Sequence, residues 1–393
     1  MRVLVLNGGS SSLKCVLRDL PDGSLPEDAP APVWEASVDW GHHPGKARVR
    51  ISGRPESESP IQTPADVLRP VLATLPDGAP NVVGHRVVHG GKAFRESTRI
   101  TPEVRDEIRK YCEFAPEHNR LELEAIETSE SIFGAQMPQI AVFDTAFHAT
   151  LPLEAQVYPG PYEWFEKGIR RYGFHGISHQ YASERAARIL GRKTRLVSCH
   201  LGNGASLAAI RDGVSIDTTM GFTPLDGIMM GTRPGSLDPG ILVYLVRHLN
   251  FGPAELDRVL NKESGLRGVS GVSGDMRDIL TGMESGNDRA RLAFDVYIHR
   301  LCREIGAMVA SLGGVETLLF TAGIGENCPP LRAQVCERLA FLGIELDAAK
   351  NSHPDSDTDI ATTGSRVRIL VIHADEDWQV ARECHRLLRK SAN

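Results

Sequence analysis

The stretch from Val3 to Leu13, VLVLNGGSSSL, decides the fold, because an apolar, β-prone run stops at a turn of glycine and serine and then resumes. The stretch from Arg195 to Ile210, RLVSCHLGNGASLAAI, repeats this design nearly two hundred residues later. In both, the chain continues as a strand after the glycines, which predicts a β-hairpin and not the strand-to-helix junction of a P-loop or Rossmann site. Two such hairpins predict a duplicated domain.

The tips of both hairpins carry groups that suit an anion. Glycines allow backbone N–H groups to point outward, and short polar side chains add further donors. Those side chains belong to Asn7, Ser10, Ser11, Ser12, Asn203 and Ser206. One such tip is common on protein surfaces. Its repetition favours phosphate binding.

Composition narrows the classes of function. A chain of 393 residues is long enough for two domains, and 41% hydrophobic with 24% charged residues is typical of a globular protein. The net charge of −6 gives no reason to expect a nucleic-acid or membrane partner. Seven scattered cysteines without a C-x-x-C pair favour a reducing compartment. The sequence has no signal-peptide or membrane-spanning run, so we predict a cytoplasmic protein.

Apolar periodicity predicts a mixed α/β chain. The predicted helices cover 102–114, 121–133, 179–190, 253–262, 288–312, 330–342 and 377–390. The predicted strands cover 82–88, 139–143, 317–320 and 366–372, and loops are predicted over 21–32, 53–66 and 352–365. FTAGIGEN, from Phe320 to Asn327, is expected to be a glycine-opened turn at a strand end, where ligands collect in open α/β sheets.

Two arginines stand among glycines. Arg86 lies in GHRVVHGG and Arg233 lies in GTRPG. The planar guanidinium binds phosphate or carboxylate through two hydrogen bonds, and neighbouring glycines permit close approach. A surface ion pair is the alternative for either arginine taken alone.

Two carboxylates and two histidine pairs complete the candidates. Asp144 follows a predicted strand and Glu376 precedes a predicted helix, so each suits either a Mg²⁺ ligand or a helix cap. His85 with His89, and His175 with His179, have the spacing of zinc ligands on a helix. Glycines in both segments, and the absence of an H-E-x-x-H glutamate, argue against zinc.

The chain closely resembles the acetate and propionate kinase family, within the superfamily of actin, hexokinase and heat-shock ATPases. The resemblance runs from Leu4 to the predicted last helix, with the motifs in family order: NGGSSSLK at Asn7, GHRVVHGG at Gly84, FDTAFH at Phe143, RRYGFHGISH at Arg170, HLGNGAS at His200, MGFTPLDGIMMGTRPG at Met220, SGDMRDI at Ser273 and FTAGIGEN at Phe320. It implies an α/β, two-domain, actin-like ATPase fold of ribonuclease H-like duplicated halves with an interdomain cleft. The expected domains are 1–148 with about 375–393, and about 149–374.

The resemblance also implies roles for individual residues. Asn7 and Glu376 would hold Mg²⁺ or Mn²⁺. The ATP phosphates would be held by Ser10, Ser12, Lys14, His200, Leu201, Gly202, Asn203 and Gly204. The adenosine would be held by Asp275, Met276, Arg277, Gly323, Ile324, Gly325, Glu326 and Asn327. Arg86 would bind the carboxylate substrate, and Asp144, His175 and Arg233 would be catalytic. The family is typically homodimeric.

The acyl pocket implied by the resemblance contains one departure. Val88, Phe174 and Pro224 keep its apolar character, whereas Glu117 stands where the family has leucine. A glutamate facing a bound carboxylate disfavours it through like-charge repulsion and desolvation. Glu117 either pairs with Arg120, turns away, or changes which acid fits.

The function that follows is reversible, Mg²⁺-dependent phosphoryl transfer between ATP and acetate. Propionate or butyrate kinase is the alternative within the family, since one methylene changes discrimination only about 10-fold to 200-fold. A non-catalytic nucleotide-binding switch is a second alternative, although it would not need Arg86, Asp144, His175, Arg233 and Glu376 together. A metal-dependent hydrolase built on the histidines is a distant third.

Overall fold

The computed structural model describes residues 1–9, 12–40, 45–61, 63–76, 78–113, 116–355 and 357–390, without the side chains of residues 64, 113, 116–118 and 390. The strands are β1 Arg2–Gly8, β2 Ser12–Asp19, β3 Trp34–Asp39, β4 Lys46–Ile51, β5 Ser57–Pro60, β6 Val82–Val87, β7 Thr98–Arg99, β8 Gln139–Phe143, β9 Arg195–Leu201, β10 Ala205–Arg211, β11 Val214–Thr218, β12 Thr317–Thr321, β13 Thr358–Asp359 and β14 Arg368–Val371. The helices are α1 Pro64–Leu72, α2 Pro102–Lys110, α3 Pro116–Phe133, α4 Leu153–Gln156, α5 Tyr162–Glu166, α6 Gly176–Ile189, α7 Pro239–Leu249, α8 Pro253–Lys262, α9 Gly265–Ser270, α10 Met276–Glu284, α11 Asp288–Leu312, α12 Ala322–Asn327, α13 Pro329–Arg338, α14 Ala348–Ser352 and α15 Glu376–Lys390.

The chain divides into two compact units. Unit 1 comprises Met1–Phe147 with Asp375–Asn393, and unit 2 comprises His148–Ala374. Unit 1 contains an eight-stranded sheet in the order β5-β4-β3-β2-β1-β6-β8-β7, and unit 2 a six-stranded sheet in the order β11-β10-β9-β12-β14-β13.

The two sheets share one topology. In unit 1, β3, β2 and β1 are antiparallel neighbours, and β1, β6 and β8 are parallel. In unit 2, β11, β10 and β9 are antiparallel neighbours, and β9, β12 and β14 are parallel. Both glycine-rich stretches therefore form hairpins at the same point of the repeated topology, β1 with β2 and β9 with β10. The duplicated α/β fold is confirmed.

Helix α15 covers the sheet of unit 1 by packing on β1 and β6. Its Trp378, Val380 and Cys384 are fully buried. A Cβ added to Gly84 of β6 would lie 2.6 Å from the Cys384 sulfur and 2.8 Å from a Val380 methyl. Glycine at this position thus allows the helix to approach the strand closely.

Several predicted elements are confirmed. Residues 253–262 and 288–312 form α8 and α11, and 139–143 forms β8, at the predicted bounds. Helix α11 buries Phe294, Tyr297 and Leu301 and packs on β9, β10 and β11, so its apolar face covers a sheet.

Other predictions were wrong at their ends or in kind. Residues 53–66 are not all loop, because Ser57–Pro60 pairs with β4 and α1 begins at Pro64. Helices α3 and α6 begin earlier than predicted, at Pro116 and Gly176, and α2 and α13 end earlier, each followed by a short 3₁₀ turn. The expected glycine turn after β12 is helix α12, since Ala322 takes a left-handed φ of 64° that redirects the chain into a helix.

Within the described residues, every helix is too short or too polar to cross a membrane.

Candidate active site

In unit 1, three polar side chains lie where parallel strands reach their carboxyl ends. Asn7 lies near the end of β1, Arg86 near the end of β6, and Asp144 directly after β8. The register brings these ends level, because Leu6 pairs with His85 and the Asp144 N–H donates to the Val87 carbonyl. Carboxyl ends of parallel strands are the usual binding edge of such sheets.

Arg86 is held by Asp144. The Arg86 Nη2 and Nε donate to the same carboxylate oxygen of Asp144, at 2.6 Å and 3.1 Å, and Nη1 donates to the Gly8 carbonyl at 3.1 Å. Side-chain exposure is 13% for Arg86 and 1% for Asp144. Burial works to lower the pKa of Arg86, but the charges of Asp144 and Glu376 outweigh it and raise that pKa. The guanidinium is therefore a fixed cation with a defined orientation, and Asp144 orients it.

A second polar cluster in unit 1 joins Asn7 to the start of α15. The Asn7 Nδ2 lies 2.9 Å from an oxygen of Asp377 and 3.3 Å from an oxygen of Glu376, and the Lys14 ammonium lies 2.6 Å from Asp377. Burial alone lowers the pKa of Lys14, but Asp377 reverses this and raises it. Sequence reasoning missed Asp377, although the run Asp375-Glu376-Asp377 at a helix start was the available signal.

The other phosphate and acyl candidates of unit 1 are only partly described. Ser10 lies outside the described residues, and so does the side chain of Glu117 on α3. Ser12 is exposed at the start of β2, and Val88 is 3% exposed. The Val88 N–H donates to Glu122, a buried acid that sequence reasoning did not select.

In unit 2, His175 precedes α6 in a left-handed conformation, with φ 56°. Its Nδ1 lies 2.9 Å from the Ser206 hydroxyl, and its ring stacks on His200 with centroids 4.2 Å apart. Ser206 also contacts Nε2 of His179 at 2.9 Å, and His200 contacts Ser178. Ser206 is fully buried, so this hydroxyl orients histidines and is not the exposed anion donor expected from the sequence.

One histidine of each pair considered for zinc, His85 and His179, lies buried in a core. His85 lies in a strand and contacts Gln139, and burial lowers its pKa to about 4. His179 lies within α6 between Ser198 and Ser206, and burial holds its pKa well below the ordinary value. Both are neutral hydrogen-bonded core histidines near pH 7.

Arg233 and His175 meet at the hairpin tip of β9 and β10. A Cβ added to Gly204 would lie 2.6 Å from the Arg233 Nη2 and 3.3 Å from the His175 Nε2. The Arg233 Nη1 donates to the Pro224 carbonyl at 2.9 Å. Because residue 204 is glycine, the Arg233 guanidinium and the His175 imidazole can both lie beside the turn.

Part of the backbone at this tip is already hydrogen-bonded within unit 2. The Gly202 N–H donates to the Gly204 carbonyl, and Gly231 donates to Asn203. Leu201 is fully buried, whereas Asn203 is exposed. Phe174 is 1% exposed in the core of unit 2, and Pro224 is half-buried.

The segments expected to hold adenosine also lie in unit 2. Asp275 caps α10 by accepting from the Arg277 N–H at 2.8 Å, Met276 is buried, and the Arg277 side chain is 88% exposed. Gly323, Ile324, Gly325, Glu326 and Asn327 form most of α12. Arg332, which sequence reasoning missed, is fully buried and donates to the carbonyls of Gly325 and Glu326 at 2.8 Å and 2.7 Å.

A sequence model described as the acetokinase family matches residues 2–382. The chain belongs to the acetokinase family. A relative named acetate kinase, from Gloeobacter violaceus, is 55% identical over 405 residues, covering 99% of this chain and 100% of the relative.

Solved structures of acetokinases are similar throughout. The acetate kinase of Porphyromonas gingivalis has a TM-score of 0.88 at 37% identity, covering 98% of this chain and 99% of that one. A propionate kinase from Francisella tularensis has a TM-score of 0.86 at 36% identity, covering 97% and 98%. The family resemblance and the actin-like ATPase fold are confirmed, and acetokinases are carboxylate kinases that use ATP.

Proposed function

We propose that this protein is an acetate kinase, which transfers the γ-phosphoryl group of ATP reversibly to acetate and gives acetyl phosphate and ADP. The observation that carries the proposal is the buried Arg86–Asp144 pair at the carboxyl ends of β6 and β8. This pair provides a cation of fixed orientation, and membership of the acetokinase family indicates the class of reaction. The same observation argues against a non-catalytic nucleotide switch, which has no use for a carboxylate-binding arginine.

The chemistry requires charge neutralisation more than proton removal. Acetate is ionised at neutral pH, so its oxygen can attack phosphorus without a strong base. Two anions must nevertheless approach each other, and cations aimed at the equatorial oxygens stabilise the transition state. Arg86 binds the substrate carboxylate while Asp144 holds Arg86 in place.

The unit 2 residues act on the transferring phosphoryl group. Arg233 offers its guanidinium, and His175 offers Nε2, beside the glycine turn at Gly204. The backbone from His200 to Gly204, with Ser10, Ser12 and Lys14, binds the ATP phosphates. Asp275 to Arg277 and Gly323 to Asn327 bind the adenosine.

The residues beside Asn7 suit Mg²⁺. Glu376 and Asp377 provide hard carboxylate oxygens, and the Asn7 side-chain amide lies beside both. No group of three or more His, Cys, Asp or Glu that could hold a metal occurs in the part of the chain that the structure describes. Mg²⁺ commonly takes one or two protein oxygens and completes its shell with phosphate and water. When bound, it would neutralise phosphate charge, and Asn7 and Glu376 would hold it.

A second copy of the chain is the proposed partner, in a homodimer. Helix α7 has no buried residue, and its Ile241, Val243, Tyr244 and Val246 are 44–57% exposed. Contiguous exposed apolar side chains mark association surfaces. The seven cysteines are free thiols, which supports the proposal of a cytoplasmic location.

Trapping acyl phosphate with hydroxylamine tests the function. Purified protein with MgATP is given acetate, propionate or butyrate in parallel, with Arg86→Ala as the matched control for contaminating activity. We expect most hydroxamate with acetate and almost none with the variant. Product from propionate or butyrate alone would move the assignment within the family, where the Francisella relative is named a propionate kinase. Product from no acid would overturn the proposal.

A further inference from the structure

Glu122 is a buried acid beside the carboxylate-binding arginine. It lies on α3 and is 2% exposed. Its Oε2 accepts the Val88 N–H at 3.0 Å, so it holds the backbone of an acyl-pocket residue directly. Its Oε1 has no hydrogen-bond partner among the residues that the structure describes.

The charges facing Glu122 come from several elements. Arg86 on β6 attracts its ionised form, and Asp144 after β8 repels it. Cys112, in the 3₁₀ turn packed on α3, also lies within electrostatic range. Arg86 already donates a hydrogen bond to Asp144 at 2.6 Å and forms an ion pair with Glu376 at 3.8 Å. An ionised Glu122 would be a third negative group around one guanidinium.

Burial raises the pKa of Glu122 to about 8, although the Val88 N–H and the charge of Arg86 oppose this shift. The acid is therefore protonated near pH 7. In that form it accepts the Val88 hydrogen bond without adding charge to the surroundings of Arg86.

We propose that Glu122 is a positioning residue that fixes Val88 and, by remaining neutral, leaves the charge of Arg86 available to the substrate carboxylate. The inference rests on the proposed function. Ionisation of Glu122 keeps the Val88 hydrogen bond but repels the incoming anion. Binding of the acid therefore weakens in alkaline solution, while the site for MgATP is unaffected.

The test is the pH profile of the acetate KM for the wild type and for Glu122→Gln. If only the protonated enzyme binds acetate, the wild-type KM rises about tenfold between pH 7 and pH 9. Glu122→Gln keeps a neutral acceptor of the same size, so its KM stays within about twofold over that range, and kcat and the KM for MgATP stay close to wild type.

The matched control is Glu124→Gln, two residues along α3. Glu124 faces Arg120, Glu127 and Asp66 instead of Arg86. We expect this variant to keep the wild-type rise of KM. A rise of KM in Glu122→Gln that equals the wild-type rise would overturn the assignment of the pH effect to Glu122.

A second substitution tests the Val88 contact. Glu122→Leu removes the acceptor and strands a buried N–H, so its acetate KM should be raised at every pH and should not vary with pH. If the Glu122→Leu variant folds and has the acetate KM of the wild type at pH 7, the positioning role is overturned. If the wild type itself forms no acyl hydroxamate, the proposed function fails. If it does and these profiles do not differ, only the inference about Glu122 fails.

Discussion

The hydroxyl oxygen of Ser206 lies 2.9 Å from Nδ1 of His175 and equally close to Nε2 of His179. A hydroxyl has one proton, so Ser206 donates to one of the two imidazoles and accepts from the other. Because burial keeps His179 neutral, the bridge couples the tautomer of His175 to that of His179. The protonation of the outward-facing Nε2 therefore depends on a residue that touches no substrate.

Replacing Ser206 with alanine should lower kcat about 10-fold to 100-fold, the range expected when a buried hydrogen-bonding group loses its partner. The acetate KM should change less than about twofold, since Arg86 is untouched. The matched control is Ser215→Ala, which removes a similar buried contact, to His148 at 2.8 Å. Steady-state kinetics decide the matter: equal losses in both variants would mean that Ser206 serves only the fold.

Replacing Arg233 with alanine should lower kcat on the order of 10³-fold, by analogy with other arginines that stabilise phosphoryl transfer. Arg233→Lys should restore little, because an ammonium lacks the planar pair of donors. Arg291→Ala, an exposed arginine on α11, is the control. If Arg233→Ala raised KM with kcat intact, Arg233 would contribute to ground-state binding only.

Replacing Glu117 with leucine should lower the acetate KM about tenfold, equivalent to about 1.4 kcal/mol of relieved repulsion. Glu117→Gln separates charge from shape, because it removes the charge and keeps the size. If charge is the cause, both variants improve binding. An unchanged KM in both would remove Glu117 from the acyl pocket.

Replacing Glu122 with glutamine should change how stability depends on pH. The pKa of the folded protein, about 8, exceeds the ordinary 4.5, so between these values the unfolded chain releases a proton that the folded chain keeps. Between about pH 5 and pH 8, the free energy of unfolding of the wild type should thus fall by about 1.4 kcal/mol per pH unit relative to that of the variant. Above pH 8 the difference should not grow further. Urea unfolding at each pH measures the difference, and parallel curves would contradict the buried neutral acid.

Replacing Tyr244 with aspartate should convert the proposed dimer to a monomer. Tyr244 is 57% exposed on α7, and a charge there would be buried by association at high cost. Sedimentation or light scattering gives the mass. Arg291→Asp, which changes charge on an exposed position of α11, is the control, and a dimeric Tyr244→Asp would place the contact elsewhere.

The sequence predicted those parts of the fold whose signals are local. Helix α11 was found because seven apolar residues share one face, and both hairpins were found from their glycine turns. Strand β5 was missed because an edge strand of sequence SESP buries no side chain fully, so it has no apolar alternation to detect. Helix α1 had a readable signal in the capping box of Thr63 and Asp66, which the proline-rich surroundings obscured.

The same limit applies to the site. Motifs selected Arg86 and Asp144 because their residue types and neighbours indicate chemistry, but no local pattern pairs them at 2.6 Å. Asp377, Glu122 and Arg332 were missed because each makes contacts that no local sequence pattern reveals: Asp377 with Asn7, Glu122 with Val88, Arg332 with Asn351. Burial gives these polar groups their importance, and burial depends on the tertiary fold.

The return of α15 to the sheet of unit 1 sets an order for synthesis on the ribosome. Unit 1 begins at residue 1 yet needs residues beyond 374 for Glu376, Asp377 and the buried Trp378. At about 5–20 residues per second, every residue of unit 2 is made while the first sheet still lacks its covering helix. Unit 1 thus starts first and is completed last, and the nascent chain acquires Glu376, its proposed metal-binding carboxylate, only when helix α15 is made.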